Sequence, residues 1–148
     1  MWRPILYISS AIFLVLILTK IKKSKGVSEN PKNIVGTELQ SCCFEPKTGF
    51  YRDGFCKTGE DDYGTHVVCA IMTEEFLEFT KSKGNDLITS KPEWRFPGLK
   101  AGDKWCLCIL RWLEAEKQGK APKIVLEATH EKALEYTSLN LLKKYSKD

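Results

Sequence analysis

Residues 42–69, CCFEPKTGFYRDGFCKTGEDDYGTHVVC, are the stretch around which we expect this chain to fold. They contain four of the six cysteines and one of the two histidines. Up to Gly64 the stretch is rich in glycine and aspartate and shows no alternation of apolar residues, which predicts a long, tightly turned loop. Long irregular segments inside compact domains are usually functional or held by cross-links, so we expect any chemistry to start here.

A strand and then a helix are predicted directly after this loop. Residues 65–72 are apolar and rich in β-branched side chains, as expected of a buried strand. Thr73 is placed to cap a helix that has two glutamates in its first turn and that Gly84 ends. In the connector that follows, Trp94 and Phe96 could line a pocket, but we expect them to pack the connector onto the core.

Residues 104–118 are compatible with two assignments. In the first, Asp103 caps a helix that runs to about Gln118 and buries one apolar face. In the second, residues 104–110 form a strand that is followed by a shorter helix. The two assignments place Cys106 and Cys108 differently, because residues two apart share a face on a strand and not on a helix.

The C-terminal part predicts one more strand and two short helices. Residues 123–128 form the strand, Thr129 caps a helix that runs through Leu134, and Ser138 caps the last helix. Strands interspersed with helices in one small domain indicate an α+β fold or a small α/β sheet, and we expect an α+β domain over residues 33–148.

The N-terminal segment predicts a membrane attachment. Residues 4–19 are uncharged and mostly apolar, and several lysines follow directly. We expect residues 1–23 to form a transmembrane helix that anchors a single-pass protein, with residues 24–32 as a linker. The lysines after the apolar run place the domain on the cytoplasmic side. The alternative is a cleaved signal peptide, which normally has its positive charge before the apolar run.

The charge of the chain is concentrated in this segment. The overall net charge is +4, and residues 1–26 contribute +5, so residues 27–148 sum to about −1. A domain without a clustered basic face is not expected to bind nucleic acid. The sequence leaves open whether its partner is a small molecule or a protein.

The cysteines allow three interpretations. Free thiols are often buried as small apolar side chains, and a cytoplasmic domain is expected to keep them mostly reduced. An even number of cysteines also permits disulfides or a redox pair. A metal site, with zinc as the candidate ion, is the third interpretation, because thiolates and imidazoles are the ligands that zinc prefers. The possible ligands are Cys42, Cys56, His66, Cys69, Cys106 and Cys108.

Two functions from different classes follow from these residues. The first is a thiol-dependent enzyme in which Cys69 or Cys56 is the nucleophile and His66 or His130 is the base. The second is a non-catalytic module that binds metal or a partner. We expect the site where the loop meets His66, Cys69 and His130; both histidines could instead simply hydrogen-bond to the backbone. The aspartates of the loop, such as Asp62, are more typical of turns than of catalysis.

Several motifs resemble one known family. They include TGFYRDGFCKTG (48–59), GTHVVCAIMTEEFLEF (64–79), FPGLKAGDKWCLC (96–108) and LEATHEKAL (126–134). These motifs are similar to those of a small, mainly bacterial family known as domain of unknown function twenty-two thirty-seven. The resemblance implies membership of that family over residues 35–142 and implies no activity, cofactor or catalytic residue. The motif positions are held by Cys42, Cys56, His66, Cys69, Cys106, Cys108 and His130, and Cys43 falls outside the pattern.

Overall fold

A computed structural model describes residues 30–148 of the chain. Two strands, β1 (Val68–Ile71) and β2 (Lys104–Leu107), and three α-helices, α1 (Glu74–Ser82), α2 (Ile109–Lys117) and α3 (Leu139–Lys144), make up its regular structure. Short 3₁₀ turns lie at Pro92–Trp94, Leu126–Ala128 and Glu131–Glu135. This is a small mixed domain of strands and helices, and that part of the predicted fold class is confirmed.

The two strands form an antiparallel pair that holds the centre of the domain. Cys69 lies directly opposite Cys106, and Ala70 lies opposite Trp105. Directly opposed residues of an antiparallel pair have their Cβ atoms about 4.5–5.5 Å apart. The register therefore brings one cysteine of the loop stretch beside a cysteine that is distant in sequence.

Helix α1 begins and ends where local signals predict. The Thr73 Oγ1 atom accepts a hydrogen bond from the Phe76 backbone N–H at 3.1 Å. This bond satisfies one of the free donors of the first turn. Gly84 follows the helix with a φ of 85°, a left-handed conformation that favours glycine. The helix buries Phe76, Leu77 and Thr80.

The single long helix predicted from Asp103 is wrong, and the alternative of a strand followed by a shorter helix is confirmed. Asp103 does not cap a helix, because its carboxylate binds the Lys100 backbone N–H and the Lys100 ammonium. The backbone N–H of Met72 donates instead to the Asp103 carbonyl, which extends the contact between the two strands. Helix α2 starts only at Ile109 and buries Trp112 against the core.

The strand predicted over residues 123–128 is also wrong. The chain does run beside β1, since Val125 N–H donates to the Cys69 carbonyl at 2.9 Å. At the next step of this pairing the Thr129 hydroxyl replaces a backbone group. It accepts from Cys69 N–H at 3.2 Å and donates to the Val125 carbonyl at 2.9 Å. This insertion ends the pairing after one isolated bridge at Ile124.

The last two helices differ in how well they follow prediction. Ser138 caps α3 as predicted, with its Oγ accepting from the Leu141 backbone N–H at 3.2 Å. The preceding turn is a 3₁₀ helix capped by the His130 side chain, so the predicted cap at Thr129 is wrong. Thr129 is fully buried and engaged with β1, and is therefore not free to cap.

Residues 30–67 contain no helix and no strand among the described elements. Buried Asn33 organises the first turn: its Nδ2 donates to the Thr37 hydroxyl and to the Glu38 and Glu127 carbonyls. Its Oδ1 accepts from the backbone N–H groups of Val35 and Thr37. A buried amide stabilises the fold only when its donors and acceptors are satisfied, which is the case here.

The core has two parts. The larger is apolar and packs both strands against the helices, with fully buried residues that include Phe76, Trp112 and Ile124. The smaller consists of buried cysteines packed with Ala128. The cysteine-containing part therefore forms a second core under the irregular stretch of residues 30–67.

The predicted membrane anchor finds no support. Residues 1–23 lie outside the described residues, and within residues 30–148 no helix is long and apolar enough to cross a membrane. For residues 30–148 the fold class is therefore corrected to a small mixed domain of strands and helices, none of which is a membrane span. The membrane partner and the single-pass localisation with a cytoplasmic domain depended on that helix and are withdrawn with it.

Candidate functional site

Four of the cysteines form two disulfides. Cys42 is bonded to Cys69, and Cys56 is bonded to Cys106. The expectation that the cysteines are mostly reduced is therefore wrong for these four. It rested on the predicted cytoplasmic side, whereas the strand register and the loop bring the sulfurs together.

The two disulfides lie side by side. The Sγ atoms of Cys42, Cys56 and Cys106 are all within 4.8 Å of one another, and each of these residues is buried. Such a group could hold a metal ion if its sulfurs were free. Of the other predicted ligands, Cys69 is bonded to Cys42, and Cys108 is a half-buried free thiol at the start of α2.

His66 is bound to a buried aspartate. Its Nδ1 lies 2.6 Å from Asp62 Oδ1, and its backbone N–H donates to Asp62 Oδ2 at 2.8 Å. The Thr58 hydroxyl donates to the same Oδ2 at 3.0 Å. The Asp62 side chain is 0% exposed, whereas 37% of the His66 side chain is exposed. Three hydrogen bonds thus hold a buried carboxylate that in turn fixes an accessible imidazole.

The surroundings of His66 restrict its ring further. The ring stacks on Phe50, with centroids 6.1 Å apart and planes inclined by 20°. A side chain at Gly64 would bring its Cβ within 2.3 Å of His66 Cε1. Glycine is therefore needed at that position because the imidazole folds back over the backbone.

The exposed part of His66 lines a cleft of about 550 Å³. This volume falls within the usual range of small-molecule sites, roughly 300–1,000 Å³. The walls come from the loop, from β2 and from the connector between α1 and β2. They include Phe50, Arg52, His66, Lys91, Trp94, Arg95, Trp105 and Cys106.

Arg52 is held rigidly in the wall. Its Nη1 donates to the Gly49 carbonyl at 2.6 Å and its Nη2 to the Trp94 carbonyl at 3.2 Å. The guanidinium lies over the Trp105 ring, 4.8 Å from its centroid. Burial, and then the positive charge of Arg95, lower the pKa of Arg52 below its usual value.

Strained backbone is concentrated at this cleft. Among residues 30–148 the non-glycine residues with positive φ are Arg52 (54°), Thr65 (50°) and Arg95 (52°). Arg52 and Arg95 line the cleft, and Thr65 directly precedes His66. Such conformations cost about 1–3 kcal/mol each and cluster at functional sites. The strain and the cleft therefore mark the same region as a candidate site.

A family comparison agrees with the motifs. The model of DUF2237, described as an uncharacterised protein conserved in bacteria, matches residues 32–146. The chain belongs to this family. A comparison with curated proteins finds no match. In this DUF2237 domain the matched residues include the whole cleft and both disulfides.

The structure brings together some of the sequence-predicted site residues and not others. His66 and Cys106 line the cleft, whereas Cys56, though bonded to Cys106, is fully buried and is not among the described lining residues. Cys69 and His130 are not among the described residues that line it. Of the three residues at which the loop was predicted to form a site, His66, Cys69 and His130, only His66 lines this cleft.

His130 has a separate structural role in the DUF2237 domain. Its backbone N–H donates to the Val67 carbonyl, and its Nδ1 accepts from the Lys132 backbone N–H at 2.9 Å. Burial is the main reason that its pKa is lowered, and Glu131 partly offsets this effect. The ring therefore caps the 3₁₀ helix Glu131–Glu135 as a neutral acceptor.

Sequence reasoning missed Asp62 as the partner of His66, and missed Arg52 and Arg95 altogether. The spacing of Asp62 and His66 was visible, but four residues within a loop predict no particular contact. Trp94 was expected to pack onto the core, whereas it is 63% exposed and lines the cleft.

Proposed function

We propose that the cleft binds a small substrate and acts on it, with His66 as general base. The Asp62–His66 hydrogen bond carries this proposal. An ionised carboxylate only accepts hydrogen bonds, so the proton of a neutral His66 ring resides on Nδ1. Nε2 then holds a lone pair, and it has no hydrogen-bond partner among residues 30–148.

Asp62 serves this role in two ways. It fixes the orientation of the ring, and its negative charge stabilises the imidazolium that forms when Nε2 takes a proton. The supporting contacts from Thr58 and from the His66 backbone keep the carboxylate in place. A base within hydrogen-bond reach of a bound substrate contributes roughly 10²–10⁴-fold to a reaction rate.

A thiol-dependent form of the proposal needs a reductant. Cys56 and Cys69, the expected nucleophiles, are both in disulfides. A dithiol would deliver two electrons and two protons to the Cys56–Cys106 bond, giving two thiols and the oxidised reductant. The released Cys106 sulfur would lie in the wall that also holds His66.

Hydrolysis of p-nitrophenyl esters by the full chain tests the base. We expect His66→Gln to lower the rate at least about 100-fold, since it removes the base. His130→Gln is the matched control, because that histidine is not part of the cleft wall. Equal rates for the wild type and His66→Gln would overturn the proposal. A rate that rises after phosphine reduction and is lost on alkylation would indicate the thiol-dependent form.

A second candidate function is zinc binding by the cysteines in their reduced state. The three sulfurs within 4.8 Å favour it, because four thiolates around zinc are about 3.8 Å apart at a Zn–S distance of about 2.3 Å. Cys69 supplies the fourth sulfur once its bond to Cys42 is reduced. Reduction of both disulfides takes four electrons and four protons, and the thiols lose their protons on binding the metal.

Cobalt is a direct probe of this second candidate. The reduced full chain, titrated with Co²⁺ without oxygen, should show the absorption bands of a tetrahedral thiolate site. Cys43→Ser with Cys108→Ser should leave the bands unchanged, because neither thiol is bonded in the four-cysteine group. Cys42→Ser with Cys106→Ser should abolish them. Absorption bands that persist in the Cys42→Ser/Cys106→Ser variant would rule this zinc site out.

A further inference from the structure

We propose that the ligand of the cleft is a small molecule that combines a planar aromatic ring with a carboxylate or phosphate group. This inference rests on the proposed function, because it names the substrate class of the same cleft. The cations of the wall bind the anionic group, and the exposed aromatic side chains stack on the ring.

The anion site is formed by arginines that have no carboxylate partner in the described part of the chain. Neither Arg52 nor Arg95 belongs to any ion pair among residues 30–148. Arg52 Nη2 donates to the carbonyl of Trp94, the residue next to Arg95, and burial and then the positive charge of Arg95 lower the pKa of Arg52. Like charges held together are costly unless an anion joins them, and guanidinium groups match carboxylates and phosphates in geometry.

The acids in the wall do not neutralise these arginines. Both Asp86 oxygens are engaged, accepting from the Ile88 and Thr89 backbone N–H groups and from the Thr89 hydroxyl. These bonds lower the pKa of Asp86 to about 2, so it stays charged but is committed to its own turn. Glu93 is exposed and forms no ion pair within residues 30–148.

The backbone at the arginines supports a ligand rather than a packing role. Both have φ values above 50°, where arginine is unfavourable and asparagine or glycine is tolerated. Arg95 is exposed and gives nothing to the core that would offset this cost. At the end of the 3₁₀ turn Pro92–Trp94, a position that suits a small residue, Arg95 instead presents a long cation at the cleft.

Two accessible rings provide the stacking surface. Trp94 is 63% exposed and Phe50 is 36% exposed, and both line the cleft. The Lys91 ammonium lies 4.9 Å from the centre of the Trp94 ring, which adds a third cation beside it. A ligand ring stacked on either side chain gains a favourable aromatic contact in addition to its buried area.

The same features exclude a large anionic polymer. The cleft has a volume of about 550 Å³, which fits a small molecule. The overall net charge is +4 and residues 1–26 contribute +5, so the net charge of residues 27–148 is about −1. A nucleic acid needs an extended basic surface, and a cleft with three local cations does not provide one.

Binding of simple probes to the full chain tests the inference. We expect benzoate or phenyl phosphate to bind in an NMR titration, with shifts confined to residues of the cleft. Benzamide lacks the charge and inorganic phosphate lacks the ring, so each should bind at least about tenfold more weakly, or about 1.4 kcal/mol. The tighter of the two aromatic anions identifies the carboxylate or the phosphate as the natural group. No binding of either at millimolar concentration, or shifts outside the cleft, would overturn the inference.

Two substitutions and their controls locate the contacts. Arg95→Asn should weaken both aromatic anions about tenfold, whereas Arg111→Gln, on α2, should not. Trp94→Ala should weaken the aromatic probes and leave inorganic phosphate unchanged, whereas Tyr63→Ala, which is 96% exposed outside the cleft wall, should change neither. Urea midpoints no lower than that of the wild type show that Arg95→Asn is folded, because asparagine suits its backbone. Unchanged affinity in both Arg95→Asn and Trp94→Ala would contradict the inference.

The binding probes lack the ester bond of the p-nitrophenyl substrates, so probe binding and hydrolysis are measured independently. Each proposal can therefore fail without the other. Loss of probe binding with ester hydrolysis still dependent on His66 would refute the ligand class alone. Probe binding with hydrolysis independent of His66 would refute the base alone.

Discussion

The two parts of the described chain, residues 30–67 and residues 68–148, are held in place by different interactions. The second part contains the strands and α-helices of the described chain and most of the apolar core. The first part has no regular element and is fixed by two disulfides to β1 and β2, by the Asn33 amide and by the Asp62 carboxylate. The comparison teaches that the irregular part can carry precise chemistry because long-range bonds replace regular structure.

Both parts of the described chain contribute residues to the cleft, and they contribute different kinds. The irregular part supplies the base and one arginine, and the regular part supplies Trp105 and Cys106 as a rigid wall. Loops positioned by a rigid scaffold are the usual source of functional side chains. Here the Cys56–Cys106 disulfide joins loop and scaffold directly at the site.

Removal of that disulfide should produce the largest loss of stability. Cys56→Ala with Cys106→Ala opens a loop of 50 residues, for which the chain-entropy estimate is about 4 kcal/mol. Urea unfolding followed by circular dichroism measures the loss. Hydrogen exchange should rise mainly in residues 42–64, while α1 and α2 stay protected because their apolar core is intact.

The free cysteines provide the control for this experiment. Cys43→Ala with Cys108→Ala should change the free energy of unfolding by less than about 1 kcal/mol, because neither thiol cross-links the chain. The view that the disulfides hold the irregular part would be contradicted by either of two results. One is an equal loss of stability in the two double variants, and the other is a Cys56→Ala/Cys106→Ala variant as stable as the wild type.

Prediction from sequence worked where the signals are local. Thr73 and Ser138 cap their helices as predicted, because the hydroxyl and the backbone N–H groups that it binds lie within one turn. Residues 104–110 stayed ambiguous, since only pairing with β1 decides that residues 104–107 are a strand. The prediction of a strand over residues 123–128 was wrong because the Thr129 hydroxyl replaces the backbone acceptor that pairing with β1 requires.

The candidate site was harder to predict because its side chains come from distant segments and its local contacts lie in an irregular loop. His66 was found from its residue type, but its role depends on the burial of Asp62, which a turn-rich sequence does not reveal. The state of the cysteines was inferred from a predicted location, whereas the contact of each strand cysteine with a cysteine of the loop decides it. Arg52 and Arg95 carried no signal, because a positive φ at arginine cannot be read from composition.

The tautomers of the two histidines test the central claim most directly. Nδ1 of His66 faces a carboxylate, whereas Nδ1 of His130 accepts from a backbone N–H, so the neutral rings should carry their protons on opposite nitrogens. A long-range ¹⁵N–¹H spectrum of the full chain, recorded with both rings neutral, should show Nδ1–H for His66 and Nε2–H for His130. Asp62→Asn should change only the His66 pattern. An Nε2–H tautomer at His66, or a pattern that Asp62→Asn leaves unchanged, would contradict a base oriented by Asp62.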